Sequence, residues 1–148
     1  VGRGASRVTP GPEGSWPLRY DRLVQPVLDR RCISCHHTGG AEVAATRLDL
    51  AAGRSYANLV SWGHPSLAEH VRQCYGAGRS VPGDGEAQRS ALLAKLQSGH
   101  HGVKLDTDDL TRLSTWMDTY AQTQGAFSPE QETRLLEMRA AAAGLLTR

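Results

Sequence analysis

Two cysteines and a histidine lie within five residues of one another, at Cys32, Cys35 and His36. A Cys-x-x-Cys-His run is the pattern by which a c-type haem is attached to a protein. Each thiol adds to one of the two vinyl groups of the haem, and the adjacent histidine then binds the iron as its proximal axial ligand. The run therefore predicts one covalently bound haem c, held by these three residues.

Two other kinds of site also use a Cys-x-x-Cys pair, namely a redox dithiol and a zinc site. A thioredoxin-like dithiol expects a strand before the motif and a helix that opens at it. Here a helical pattern precedes the motif and a glycine-containing loop follows it. A zinc site would need one or two further ligands, which Cys74 and another histidine would have to supply. Haem is favoured over both alternatives.

The sixth position of the iron decides whether such a centre passes electrons or binds a small molecule. His37 adjoins the proximal histidine and cannot reach the opposite face of the haem. His100 and His101 follow Gly99 on a short connection between two predicted helices, where backbone freedom lets an imidazole be aimed. The residues alone favour one of these two. The remaining candidates, for which surface or packing roles are expected, are His64, His70, Cys74, Met117 and Met138.

The composition fits a protein whose apolar core includes a bound cofactor. Its 148 residues make one domain with a modest core, and only 5% of them are aromatic. A haem, which is a flat apolar body, would compensate for the shortage of large side chains. The net charge of +2 is too small to indicate nucleic-acid binding. No run of 18 apolar residues is present, so no transmembrane helix is predicted.

Haem c is attached outside the cytoplasmic membrane in bacteria, so the haem prediction implies a periplasmic or other extracytoplasmic location. The chain starts at Val1 without an apolar signal core, which is typical of a mature form. The third cysteine, Cys74, is left without a thioether partner. We expect it to be buried and inert rather than paired with another chain.

The apolar periodicity predicts an all-α fold of about four to five helices with long loops. Residues 1–16 are rich in Gly and Pro and are predicted to form an extended arm, residues 17–127 the haem domain, and residues 128–148 an appended helix. A first helix from Pro17 carries Pro26 inside it and should be kinked or split there. Further helices are predicted over Pro65–Cys74, over Glu86–Gln97 after an Asp84 cap, over Asp106–Thr123, and from Ser128 onwards.

Two segments resemble known cytochrome domains. The segment from Val27 to His36 resembles single-haem cytochrome c domains. The segment Ser90–Leu105, followed by Leu113-x-x-Trp116-Met117-Asp118, is similar to the C-terminal haem domain of the hydrazine synthase alpha subunit and its relatives, over residues 20–127. The resemblance implies a cytochrome c-like bundle around one haem. It also implies that Gly-His-(His or Tyr)-x-Val-Lys-Leu supplies the distal ligand, which favours His100 over His101.

These features predict electron transfer by a bis-histidine haem c, as a relay beside a redox protein partner or larger enzyme subunits. Docking through the C-terminal helix is one expected mode of assembly. The alternative is a catalytic or gas-binding haem with an open sixth position, where His101 or His70 would act as acid or base. Only one Cys-x-x-Cys-His is present, so hydrazine chemistry is not carried over. Candidates for contacts with the haem propionates are Trp62, Arg79 and Lys104, for which solvated charge or simple packing is the more usual role.

Overall fold

The computed structural model describes residues 18–40, 42–78, 83–124 and 128–146. These residues form eight α-helices and no β-strand, with one isolated bridge between His100 and Val103. The predicted all-α class is confirmed, whereas the predicted arm over residues 1–16 lies outside the described part. The helices are α1 (Tyr20–Leu23), α2 (Gln25–Arg31), α3 (Val43–Thr46), α4 (Ser55–Val60), α5 (Leu67–Gly76), α6 (Ala91–Gln97), α7 (Thr107–Asp118) and α8 (Pro129–Leu146).

The first predicted helix is split, as Pro26 indicated. Val24 ends α1 and caps α2, and Pro26 lies in the first turn of α2. Proline is tolerated there because the first amides of a helix have no intrahelical acceptor. The face that both pieces share is buried and consists of Leu23, Val24, Val27 and Leu28.

The start of α6 differs from the prediction. Asp84 was expected to cap a helix from Glu86, but the helix begins at Ala91 and its cap is Ser90. The buried Ser90 hydroxyl accepts from the Leu93 amide at 3.0 Å and donates to the Ala87 carbonyl at 2.8 Å. Asp84 forms an ion pair with Arg89 instead. Ser90 rather than Asp84 caps the helix because its buried hydroxyl accepts from an amide of the first turn and donates its own hydrogen to a carbonyl.

The helix α7 starts as predicted and ends early. Asp106 caps it in a reciprocal capping box with Asp109. The chain leaves the helix at Thr119 and turns left-handed at Tyr120 (φ 68°) and Ala121 (φ 49°). Tyr120, expected on the buried stripe, is therefore 39% exposed, whereas Leu113, Trp116 and Met117 are buried. The Trp116 indole N–H donates to the Gln122 carbonyl at 2.9 Å, which secures this turn.

The last helix, α8, begins at Pro129 after Ser128, whose hydroxyl accepts from the Gln131 amide at 3.3 Å. Two of its apolar side chains are exposed. Met138, expected to be a packing residue, is 59% exposed, and Leu136 is exposed as well. Within the described ranges, no helix has the length and apolarity that crossing a membrane requires.

Candidate haem site

The Cys-x-x-Cys-His motif forms a tight turn at the end of α2. Cys32 caps that helix, and its carbonyl accepts from the amides of Cys35 at 3.1 Å and His36 at 3.0 Å. The turn leaves Cys32 partly buried and Cys35 exposed. A helix precedes the motif, as the sequence predicted, so the strand that a thioredoxin-like dithiol would place there is not found.

The His36 ring is fixed by the backbone of α3 and of the segment just after it. Its Nδ1 lies 3.1 Å from the Ala45 carbonyl oxygen and 3.2 Å from that of Leu48. Because a carbonyl only accepts hydrogen bonds, Nδ1 must carry the proton, and Nε2 keeps its lone pair. A histidine held in this way presents Nε2 as a metal ligand in a defined direction.

The lone pair of His36 points at His100. The two Nε2 atoms lie 3.4 Å apart, the ring centroids 5.7 Å apart, and the ring planes are 24° from parallel. The centroid distance exceeds the nitrogen distance by the amount expected when each ring directs Nε2 straight at the other. Metal–imidazole bonds of about 2.0–2.1 Å would place two such nitrogens about 4 Å apart on one metal ion. A small outward movement of either ring therefore makes room for a metal ion between them.

A tight turn aims His100 into this position. The Val103 amide donates to the His100 carbonyl at 2.9 Å, and the two central residues, His101 and Gly102, have φ values of 49° and 77°. Both are left-handed, as in a type I′ turn. Burial, together with the nearby charges of His101, His36 and Lys95, lowers the pKa of His100 below its ordinary value. The neutral ring, which is the form that binds a metal, is therefore favoured.

Two cavities meet at the His36–His100 pair. One, of about 230 Å³, is almost wholly apolar and is enclosed mainly by leucines of α2, α6, α7 and the segment 48–59. The other, of about 360 Å³, is more polar and includes Arg31, Glu42 and His101 in its wall. Four residues line both cavities: Cys32, His36, Leu96 and His100. The pair thus lies where the two cavities adjoin, one almost wholly apolar and the other more polar, and together they form the space around His36 and His100.

The residues of this space fit a haem. Two imidazole nitrogens face each other across its centre, apolar side chains line one side, and both motif cysteines border it, Cys35 only on the polar side. Burial, and to a smaller extent the charge of Asp109, raises the pKa of the Cys32 thiol to about 11. A thiol with a raised pKa is a poor redox nucleophile, which disfavours the dithiol alternative.

The other predicted ligand candidates lie elsewhere. Met117 is fully buried and its sulfur is 3.3 Å from the Ser90 hydroxyl, so its expected packing role is confirmed. His37 Nδ1 accepts from the Gly39 amide at 3.1 Å. His64 and Met138 are exposed, and neither lines a cavity described above. Among these candidates, only His100 and His101 border the space around His36.

Cys74 and His70 form a separate group on α5. Cys74 is buried, as expected, and its sulfur lies 3.2 Å from Nη2 of Arg89 and 3.8 Å from Nε2 of His70. His70 Nε2 lies 2.8 Å from the Glu86 carbonyl oxygen. Neither residue lines the space around His36, so they do not complete a zinc site with the motif or serve as acid or base there. No cluster of three or more potential metal-binding side chains is found among the described residues.

Two functional positions were not found by sequence reasoning. Lys95 is the one lysine in the wall of the apolar cavity, and Trp62, a candidate for contact with a haem propionate, also lies there. Lys104 is exposed and does not border either cavity, and Arg79 is outside the described residues. The signal for Lys95 was its place on α6 beside the inward-facing Leu92 and Leu96, one helical turn apart.

The second is Asp109, in the first turn of α7. It is fully buried and binds Nη2 of Arg30 and Nε of Arg31, each at 2.7 Å. These bonds join α7 to the end of α2, directly before the cysteine motif. The sequence signal was a third acidic residue just after the Asp106 cap. An acidic residue in the first turn of a helix is common, so this signal alone did not indicate a buried ion pair.

Comparison with protein-family models, curated proteins and solved structures finds no match for this chain. The site is therefore interpreted from its own geometry and chemistry.

Proposed function

We propose that this domain carries single electrons through one covalently bound haem c. Cys32 and Cys35 would form the thioether bonds, His36 would be the proximal iron ligand and His100 the distal ligand. The observation that carries the proposal is the end-on approach of the two Nε2 atoms, 3.4 Å apart, within a space that both cysteines border.

The surrounding residues support this role in distinct ways. The carbonyls of Ala45 and Leu48 hold the proton of His36 on Nδ1, which orients the ring and raises the basicity of Nε2. The leucines of the apolar cavity would exclude water from one side of the site. Lys95, which lines the apolar cavity, would pair with a carboxylate of the cofactor. When bound, a haem with two imidazole ligands supplies a low-spin, coordinatively full iron suited to electron transfer.

Location and partners follow from this proposal. Haem c is attached outside the cytoplasmic membrane in bacteria, so we place the domain in an extracytoplasmic compartment. Its partners would be a redox protein or the subunits of a larger redox enzyme, with which it exchanges one electron at a time.

The test is to produce the chain in a host that matures c-type cytochromes and to measure its mass and its pyridine haemochrome spectrum. We expect the mass of the polypeptide plus one haem and the bands of a haem with two thioether bonds. Cys32→Ser and Cys35→Ser should each lose one thioether bond. Cys74→Ser is the matched control and should retain both, because Cys74 contacts His70 and Arg89 instead.

Colourless protein with the mass of the bare polypeptide would refute the proposal. A coloured protein with high-spin features that binds carbon monoxide at rest would retain the haem but favour a gas-binding or catalytic site.

A further inference from the structure

A buried carboxylate holds an arginine that borders the space the proposed haem would occupy. Asp109 has no exposed side-chain surface, and Arg30 and Arg31 both bind its carboxylate at 2.7 Å. Arg31 also donates through Nη2 to Asp106 at 2.8 Å. Arg31 is thereby held at two points, through Nε and Nη2, so that its positive charge has a fixed position.

This network reaches the site on one side. Arg31 immediately precedes Cys32 and lines the more polar cavity together with His36 and His100. The Cys32 thiol responds to both members of the ion pair: after burial, which is the largest effect, the charge of Asp109 raises its pKa and that of Arg31 lowers it. The two charges therefore act in opposite directions at a group that borders the iron ligands.

We infer that Asp109 and Arg31 are an opposed pair of charges that sets the reduction potential of the iron held by His36 and His100. The inference rests on the proposed function and deepens it. Adding one electron makes the site more negative by one unit of charge. A negative charge at Asp109 opposes that change and a positive charge at Arg31 favours it. Since Asp109 is buried, salt screens its charge less than it screens a surface charge.

The experiment is an equilibrium titration of the holoprotein with dithionite as electron donor, followed by visible absorption. Asp109→Asn, which removes the negative charge at nearly constant shape, should raise the midpoint potential. Arg31→Gln should lower it, because Asp109 then keeps only Arg30 as a partner. The double variant should return towards the wild-type midpoint.

Asp108→Asn is the matched control. It removes the same charge one residue away on α7, where Asp108 pairs with Arg112 at 2.7 Å instead of with Arg30 or Arg31. Its midpoint should remain at the wild-type value. Opposite shifts in the two single variants distinguish an electrostatic effect from a loosened structure, which would move both midpoints in the same direction.

Unchanged midpoints, or shifts of the same sign in Asp109→Asn and Arg31→Gln, would overturn the inference. If Asp109→Asn does not retain haem, Arg31→Gln decides alone: a lower midpoint supports the inference, and an unchanged or higher one overturns it. A wild-type protein that binds no haem would refute the proposed function itself, and it is thereby distinguished from failure of this inference alone.

Discussion

At the scale of single residues, the direction of a few atoms decides what the site can do. His36 carries its proton on Nδ1 because two carbonyl oxygens, of Ala45 and Leu48, lie within 3.2 Å of that atom. His100 presents its Nε2 to the opposite nitrogen. His101 is its sequence neighbour, but its backbone is left-handed (φ 49°) and its side chain is exposed. The difference between these two histidines therefore comes from the turn rather than from residue type.

His100→Ala should convert the bound haem from low spin to high spin, because it removes the imidazole that faces His36. His101→Ala should leave the spectrum low spin, and it is the matched control, since it removes the same group from the next position. Visible absorption and electron paramagnetic resonance of the oxidised protein measure the difference. The reverse result would exchange the two assignments while leaving the haem in place.

At the scale of the elements, the site depends on how α2 is held against α7. The two helices are distant in sequence, and the buried Asp109 of α7 binds Arg30 and Arg31 at the end of α2. A carboxylate of this kind stabilises the fold only while it is ionised. Burial by itself would raise its pKa, but the hydrogen bonds from the two arginines outweigh burial, and the pKa of Asp109 lies below its ordinary value of 3.8.

Stability should therefore depend on pH through Asp109. Because its pKa is lowered in the folded state, its contribution is present above pH 3.8 and is lost as the pH falls through the folded value. Asp109→Asn should reduce the free energy of unfolding at neutral pH by about 1.5–3 kcal/mol, the range for hydrogen bonds to charged groups. The difference from wild type should shrink as the pH falls below 3.8.

Urea unfolding at a series of pH values measures this effect. The control is Asp108→Asn, whose i,i+4 pair with Arg112 on the same helix should be worth at most about 0.5 kcal/mol. A deficit in Asp109→Asn that stays constant down to acid pH would contradict the assignment of an ionised carboxylate.

At the scale of the whole molecule, the helices α1–α7 and the last helix differ in how far their apolar side chains are exposed to solvent. One apolar core extends to the apolar cavity and is formed by side chains of α1, α2 and α4–α7. By contrast, Leu136 and Met138 on α8 are exposed. An exposed apolar helix adds little to the stability of the domain from which it extends.

Removing residues 128–148 should leave the visible spectrum and the thermal unfolding midpoint of the haem domain unchanged. If α8 binds a partner or another copy of the chain, the truncated protein should elute as a smaller species in size-exclusion chromatography. A replacement of Leu136 and Met138 by Gln in the full-length chain is the control that keeps α8 while removing its apolar contacts. A large loss of thermal stability on truncation would show that α8 belongs to the core.

The sequence by itself determined the motif, the all-α class and most of the helix starts, because these depend on residues close together in the chain. The Asp106 and Ser128 caps and the break before Pro26 are local in this sense. Only the tertiary structure decided that Ser90 rather than Asp84 caps α6 and that α7 ends at Asp118. In each case a hydrogen bond satisfied by packing outweighed a local signal. The tertiary structure also brought His36 to His100 and Arg31 to Asp109. Residues more than sixty positions apart meet only through the fold.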